Sequence, residues 1–161
     1  RGLGDVYKRQ GVDRLADLDA ALALWNGAAF DEFRHESWAQ AEATRIDELR
    51  VVAQEDRAEL LIGLGRSGEA VSSLGALVAE HPYRDRMRGL LLQALACEGR
   101  QADALRAYQD YRSFLVDEAG TEPSQTVRSI DRRIASPSSD ERRAVIEHLR
   151  TVGRWVDDGE P

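Results

Sequence analysis

Residues 65–71 read Gly-Arg-Ser-Gly-Glu-Ala-Val and residues 99–105 read Gly-Arg-Gln-Ala-Asp-Ala-Leu. Laid over one another at an offset of 34 residues, the two strings share Gly, Arg, an acid, Ala and an aliphatic in register. The register extends outward. Ala58 falls on Leu92, Leu61 on Leu95, Leu74 on Tyr108 and Leu77 on Tyr111, so the apolar positions repeat along with the turn. Between Val51 and Leu115 the chain therefore holds two successive helix-turn-helix units.

A period of 34 residues is that of tetratricopeptide-like helix pairs. One such pair has an apolar face that it cannot bury alone, so neighbouring pairs must stack and leave a curved surface for another molecule. The predicted fold is all-α: a right-handed superhelix of antiparallel helix pairs, about seven to eight helices in all. Such an architecture points to binding rather than catalysis.

The remaining elements follow from spacing. Residues 1–10, RGLGDVYKRQ, carry the only Lys of the chain and show no helical apolar spacing, so they read as a non-native or disordered segment. The first Met is Met87, and the sequence reads as a fragment. From Asp13 the positions Leu15, Leu18, Leu22 and Trp25 form one helical stripe that Gly27 ends. A loop from Asn26 to Glu36 follows, in which Phe30 and Phe33 are expected to pin the chain to the helices. Ser37-Trp38 opens a long helix, possible to break, carrying Ile46, Leu49, Ala53, Leu60, Leu61 and Leu64. A second helix spans Glu69 to Glu80 and stops at His81-Pro82, where proline suits the start of the next helix.

That next helix stacks Met87, Leu90, Leu91, Ala94 and Leu95, and its partner stacks Ala104, Tyr108, Tyr111, Phe114 and Leu115. Gly120 fits the left-handed residue beyond a helix end, Pro123 prevents continuation, and Ser124 caps a short helix with Val127, Ile130 and Ile134. The repeat domain is thus placed at residues 11–135. Residues 136–161 read as a linker and an amphipathic helix, the latter capped by Ser138 with Glu141 and carrying Val145, Leu149, Val152 and Val156.

Composition narrows the function. The 161 residues are 42% hydrophobic and 32% charged, ordinary for a globular domain, and no apolar run approaches a membrane span, so a cytoplasmic protein is expected. A formal charge of -7, with Arg interleaved among Asp and Glu, argues against direct DNA contact, which needs clustered basic groups. Cys97, the single cysteine, excludes an internal disulfide and is expected to be a buried small hydrophobe. His35 beside Asp31, Glu32 and Glu36 lacks metal-ligand spacing, so no metal and no cofactor is expected.

An enzyme has no support: the histidines His35, His81 and His148 are scattered, and no catalytic motif or Walker lysine occurs. Gly63-Leu64-Gly65-Arg66-Ser67-Gly68 fits GxGxxG, but the dinucleotide fingerprint needs a preceding strand and here a helix precedes it.

Several segments together carry a family resemblance. They are ALALW (21–25), EATRIDELRVVAQEDRAELLIGLGR (42–66), EHPYRDRMRGLL (80–91), GRQADAL (99–105) and GTEPS (120–124). The combination resembles the bacterial transcriptional activation domain of actinobacterial regulators of the SARP/AfsR type, over about residues 15 to 135. Gln125 departs from the family pattern where a second Pro is common, as does Ala96-Cys97-Glu98, where a run containing Tyr is usual. The resemblance implies transcriptional regulation through protein contacts with RNA polymerase, the regulator's own DNA-binding domain or a second protomer. DNA would be reached only through a winged-helix domain that this chain lacks.

In tetratricopeptide-like stacks the first helix of each pair lines the concave side. Arg50, Arg57, Arg84 and Arg88 fall there and are the candidates for meeting an acidic partner. The alternative is a tetratricopeptide adaptor unconnected with transcription, since the 34-residue period alone fits it equally well.

Overall fold

The computed structural model describes residues 3–136 apart from 26, 28, 30 and 34. Among the described residues there are six α-helices and no strand: α1 (Leu3–Ala23), α2 (Ser37–Gly63), α3 (Ser67–Glu80), α4 (Asp85–Cys97), α5 (Gln101–Ala119) and α6 (Gln125–Ala135). The expected seven to eight are not reached. Helix α2 runs unbroken through the positions where a break was possible, and the amphipathic helix expected after Ser138 lies outside the described residues.

The repeat seen in the sequence is a repeat in space. All eight superposed apolar positions, from Ala58 and Leu92 to Leu77 and Tyr111, are buried. Both turns use one geometry. Gly65 and Gly99 sit at φ 76 and 72, a left-handed conformation open to Gly because it lacks Cβ. The amide of Arg66 then donates to the Leu61 carbonyl at 2.8 Å and that of Arg100 to the Leu95 carbonyl at 2.9 Å. With Gly65 donating to Ile62 and Gly99 to Ala96, each at 3.0 Å, the exposed carbonyls of both helix ends are satisfied in the same way. Even the surface pairing recurs, as Arg66 with Glu69 and Arg100 with Asp103.

Successive helices pack on one another, and α4 also touches both α2 and α6. This sets α2, α4 and α6 side by side, with α3 lodged against α2 and α4, and α5 against α4 and α6. One cluster of buried apolar side chains, including Leu61, Leu74, Met87 and Leu90, joins α1 to α4. A second, including Leu92, Tyr108, Tyr111 and Val127, joins α4, α5 and α6. Burial of such side chains is worth roughly 1.5–3 kcal/mol each, so two clusters that share α4 make it the centre of the fold.

Several expectations need correction. Helix α1 begins at Leu3 rather than near Asp13, so residues 3–10 are helical. Lys8, Arg9 and Gln10 are competent helix formers and all three face solvent, which is why the apolar spacing gave no sign of them. The helix also ends before Gly27, at Ala23, and Leu24 and Trp25 close it with bonds to the Ala21 and Leu22 carbonyls. Phe33 does meet a helix, its ring centroid 5.8 Å from that of Trp38 on α2, but it stays 48% exposed, while Phe30 lies outside the described residues.

Leu49 is exposed, its place on the inner face of α2 being taken by Val51 and Ala58. Leu91 is only partly buried against the first cluster, whereas Leu92 is buried along with Leu90 and Leu95, as the repeat register requires for Leu92. Cys97, the last residue of α4, is exposed instead of buried, because the chain turns away from the core at Gly99.

Candidate interaction surface

Arg84, Asp85, Arg86 and Arg88 occupy the start of α4, and the fold sends them in three directions. Arg84 reaches α2, where its Nε donates to Glu55 at 2.8 Å and its Nη1 to Glu48 at 2.5 Å. Arg86 reaches the same helix one turn on. It donates to Glu55 at 3.3 Å, to Asp56 at 2.7 Å and to Glu59 at 2.8 Å. Glu55 is only 1% exposed, and a buried carboxylate requires such partners to offset its lost hydration. The hydrogen bond to Glu55, opposed by burial and reinforced by Glu48, holds the Arg84 guanidinium above its usual range.

Asp85 points the other way. Its Oδ1 accepts the Tyr111 hydroxyl at 2.5 Å and its Oδ2 accepts the Ser124 amide at 3.1 Å, so one carboxylate ties α5 and the start of α6 to α4. Burial, and then the bond to Asp85, push the Tyr111 phenol well above its ordinary value. Ser124 caps α6 as expected, its Oγ accepting the Val127 amide at 3.4 Å. Arg88 is turned inward: its Nη2 donates to the Val78 carbonyl at 3.2 Å and its guanidinium lies 4.8 Å over the Tyr111 ring. Its Nε is buried with no hydrogen-bond partner among the described residues, and burial lowers its pKa.

The four arginines singled out from the sequence are therefore not one exposed patch. Arg57 pairs with Asp19 of α1 at 2.5 Å, Arg84 is spent on the α2–α4 seam and Arg88 packs on Tyr111. Arg50, half-buried on α2, and Arg88 are the two of the four without an ion pair among the described residues.

The residues the sequence reading missed are Glu55, Asp85, Arg86 and Gly89. A signal for Glu55 was present, since Val51, Glu55 and Ala58 share one helical stripe and a carboxylate in that register must be buried and paired. Gly89 lies where a Cβ would stand 3.0 Å from Ile130 Cδ1 and 3.8 Å from Val127 Cγ2, so its missing side chain lets α6 approach α4. Between these helices runs an open groove of about 450 Å³. Its floor is Gly89, Leu90, Val127 and Ile130, and its edges are Glu59, Asp85, Arg86, Gln93, Ser124 and Thr126. Among the described residues no cluster of His, Cys, Asp or Glu could hold a metal ion, and Gly63–Gly68 spans the end of α2, the turn after it and the start of α3.

The sequence profile of the bacterial transcriptional activator domain matches residues 6–135, a span that takes in nearly all of α1 and the whole of α2 to α6. The chain belongs to that family. This activator domain is 39% identical over 117 residues to the regulatory protein AfsR of Streptomyces griseus, a match covering 73% of this chain and 12% of that protein. It is 37% identical over 117 residues to the transcriptional regulatory protein EmbR of Mycobacterium tuberculosis, covering 73% of this chain and 30% of EmbR.

The solved structure of Mycobacterium tuberculosis EmbR in complex with a low affinity phosphopeptide superposes with a TM-score of 0.72 at 32% identity. That superposition covers 92% of this chain and 42% of the EmbR chain. The activator domain thus corresponds to a minor part of each relative's length. No helix among its described residues is long and apolar enough to cross a membrane.

Proposed function

We propose that the chain is the protein-contacting activator domain of a longer transcriptional regulator of the SARP type. Its helix pairs stack as a tetratricopeptide-like, right-handed superhelix, and the layer of α2, α4 and α6 meets the partner. That partner is RNA polymerase, the regulator's own DNA-binding domain or a second protomer, and DNA is reached only through a domain outside this chain. The domain catalyses nothing and works in the cytoplasm. The observation that carries this reading is the family match over residues 6–135, supported by relatives whose names are those of regulators. The phosphopeptide bound in the EmbR structure supports a protein partner for the regulator as a whole.

Within this reading Arg50 is the arginine left for direct contact. Arg57, Arg84 and Arg88 act at one remove, by fixing the helices that form the surface.

The test fuses the 161-residue chain behind a heterologous DNA-binding domain and measures transcription from a reporter in a bacterial host. Activation above that of the DNA-binding domain alone is expected. A silent fusion that is folded and bound at its operator would leave the tetratricopeptide adaptor as the better reading.

A further inference from the structure

The groove between α4 and α6 has an apolar floor and two polar side chains, Gln93 and Thr126, that make no side-chain hydrogen bond among the described residues. Gln93 offers both a donor and an acceptor, the pair of groups that an incoming backbone amide and carbonyl would satisfy. A volume of about 450 Å³ is in the range that holds one or two large side chains.

Charge selects the occupant. On the α2 side Glu59 and Arg86 line the groove, and Glu59 shares that guanidinium with Asp56 and Glu55 beside it. Asp85, a further carboxylate of the lining, accepts from the Tyr111 hydroxyl and the Ser124 amide and meets no arginine among the described residues. The carboxylates thus outnumber the arginines. The excess lies at the rim, where Glu59 is 65% and Asp56 40% exposed, while Glu55 is sealed beneath them. An acidic segment laid here would face repulsion, and a neutral one would leave the rim unanswered.

We infer that this groove receives a basic segment of a partner protein, one apolar side chain seated on Leu90, Val127 and Ile130 and a Lys or Arg beside it meeting Glu59 and Asp56. The inference rests on the reading of the α2, α4 and α6 layer as the protein-contacting surface and adds the partner's chemistry to it. It also reverses the polarity expected from the arginines alone, because Arg57 is already paired with Asp19 and Arg84 with Glu48 and Glu55.

The experiment uses the full chain and two fluorescein-labelled dodecapeptides with the same leucines, one with lysines and one with glutamates at the remaining charged positions. Anisotropy is measured at low and at physiological salt against the wild type, Thr126→Trp and Glu59→Lys. Thr126 is exposed, so Trp there fills the groove without entering the core, and thermal melts verify that both variants are folded. The lysine peptide is expected to bind the wild type and to bind each variant about tenfold more weakly, while the glutamate peptide does not bind.

Equal binding of both peptides, or lysine-peptide binding untouched by Thr126→Trp, would overturn the inference. Thr126→Trp in the reporter fusion separates the two readings. A fusion that stays active with the groove filled overturns the groove as the working contact while the activator reading stands, and a silent wild-type fusion removes the activator reading.

Discussion

The Tyr111 hydroxyl donates to Asp85 Oδ1 at 2.5 Å, linking the middle of α5 to the first turn of α4, and the same carboxylate accepts the Ser124 amide ahead of α6. Replacing Tyr111 with Phe keeps the ring against the core and removes the bond to a charged acceptor. A loss of about 1.5 kcal/mol is expected. Chemical denaturation of Tyr111→Phe should show the midpoint lowered with the slope unchanged.

Alkali should act through the same residue. Burial and the Asp85 bond raise the Tyr111 phenol, and burial together with Asp131 raises that of Tyr108, above the usual value of about 10. With folded pKa values above the unfolded ones, the native state holds these protons more tightly. Their contribution to stability is complete below about pH 10 and is lost as the pH rises further. Urea melts across this range should show stability falling with pH, and less steeply in Tyr111→Phe. An equal slope in that variant would contradict the assignment.

At the α2–α4 seam, Arg84→Ala would leave the buried Glu55 with Arg86 as its remaining guanidinium partner. Removing one member of a fully buried pair costs about 3–5 kcal/mol. Arg84 keeps some contact with water and Arg86 stays in place, so roughly 2 kcal/mol is expected here. The thermal melting temperature of Arg84→Ala should fall clearly, whereas Arg45→Ala, whose pair with Glu42 lies on the surface, should leave it unchanged.

Two glycines inside helices should respond with opposite sign. A Cβ at Gly75 meets nothing within 4 Å, so Gly75→Ala should stabilise α3 by about 0.5–1 kcal/mol. At Gly89 the Cβ meets Ile130 at 3.0 Å, so Gly89→Ala should push α6 outward and lower the melting temperature. If both alanines stabilise the fold, the close approach of α4 and α6 is wrong.

The Cys97 thiol, exposed at the end of α4, should react with Ellman's reagent in the native protein as fast as it does in denaturant. Slow native reaction would return the residue to the core.

Much of the fold was legible because the same physics was written into the sequence twice. The Gly65 and Gly99 turns fix where helices end, and the paired positions such as Leu61 and Leu95 fix which sides face inward. Glu55, Asp85 and Arg86 were less visible. Their partners lie 26 to 39 residues away along the chain, and an arginine in the sequence looks the same whether it meets solvent or a carboxylate on the next helix. For that reason Arg57, Arg84 and Arg88 were read as exposed when the fold had already paired or packed them. Cys97 was misplaced for a related reason, since helical periodicity holds only until the turn at Gly99 ends it.

The matched turns at Gly65 and Gly99 also bear on how the chain reaches this state. Each closes on hydrogen bonds between residues no more than five apart, Leu61 to Arg66 and Leu95 to Arg100. Two such joints, each followed by a helix that packs back on the one before it, give a topology of low contact order. Little loop entropy has to be surrendered before native contacts begin to compensate for it, and refolding of this chain belongs on the microsecond to millisecond scale of helical domains.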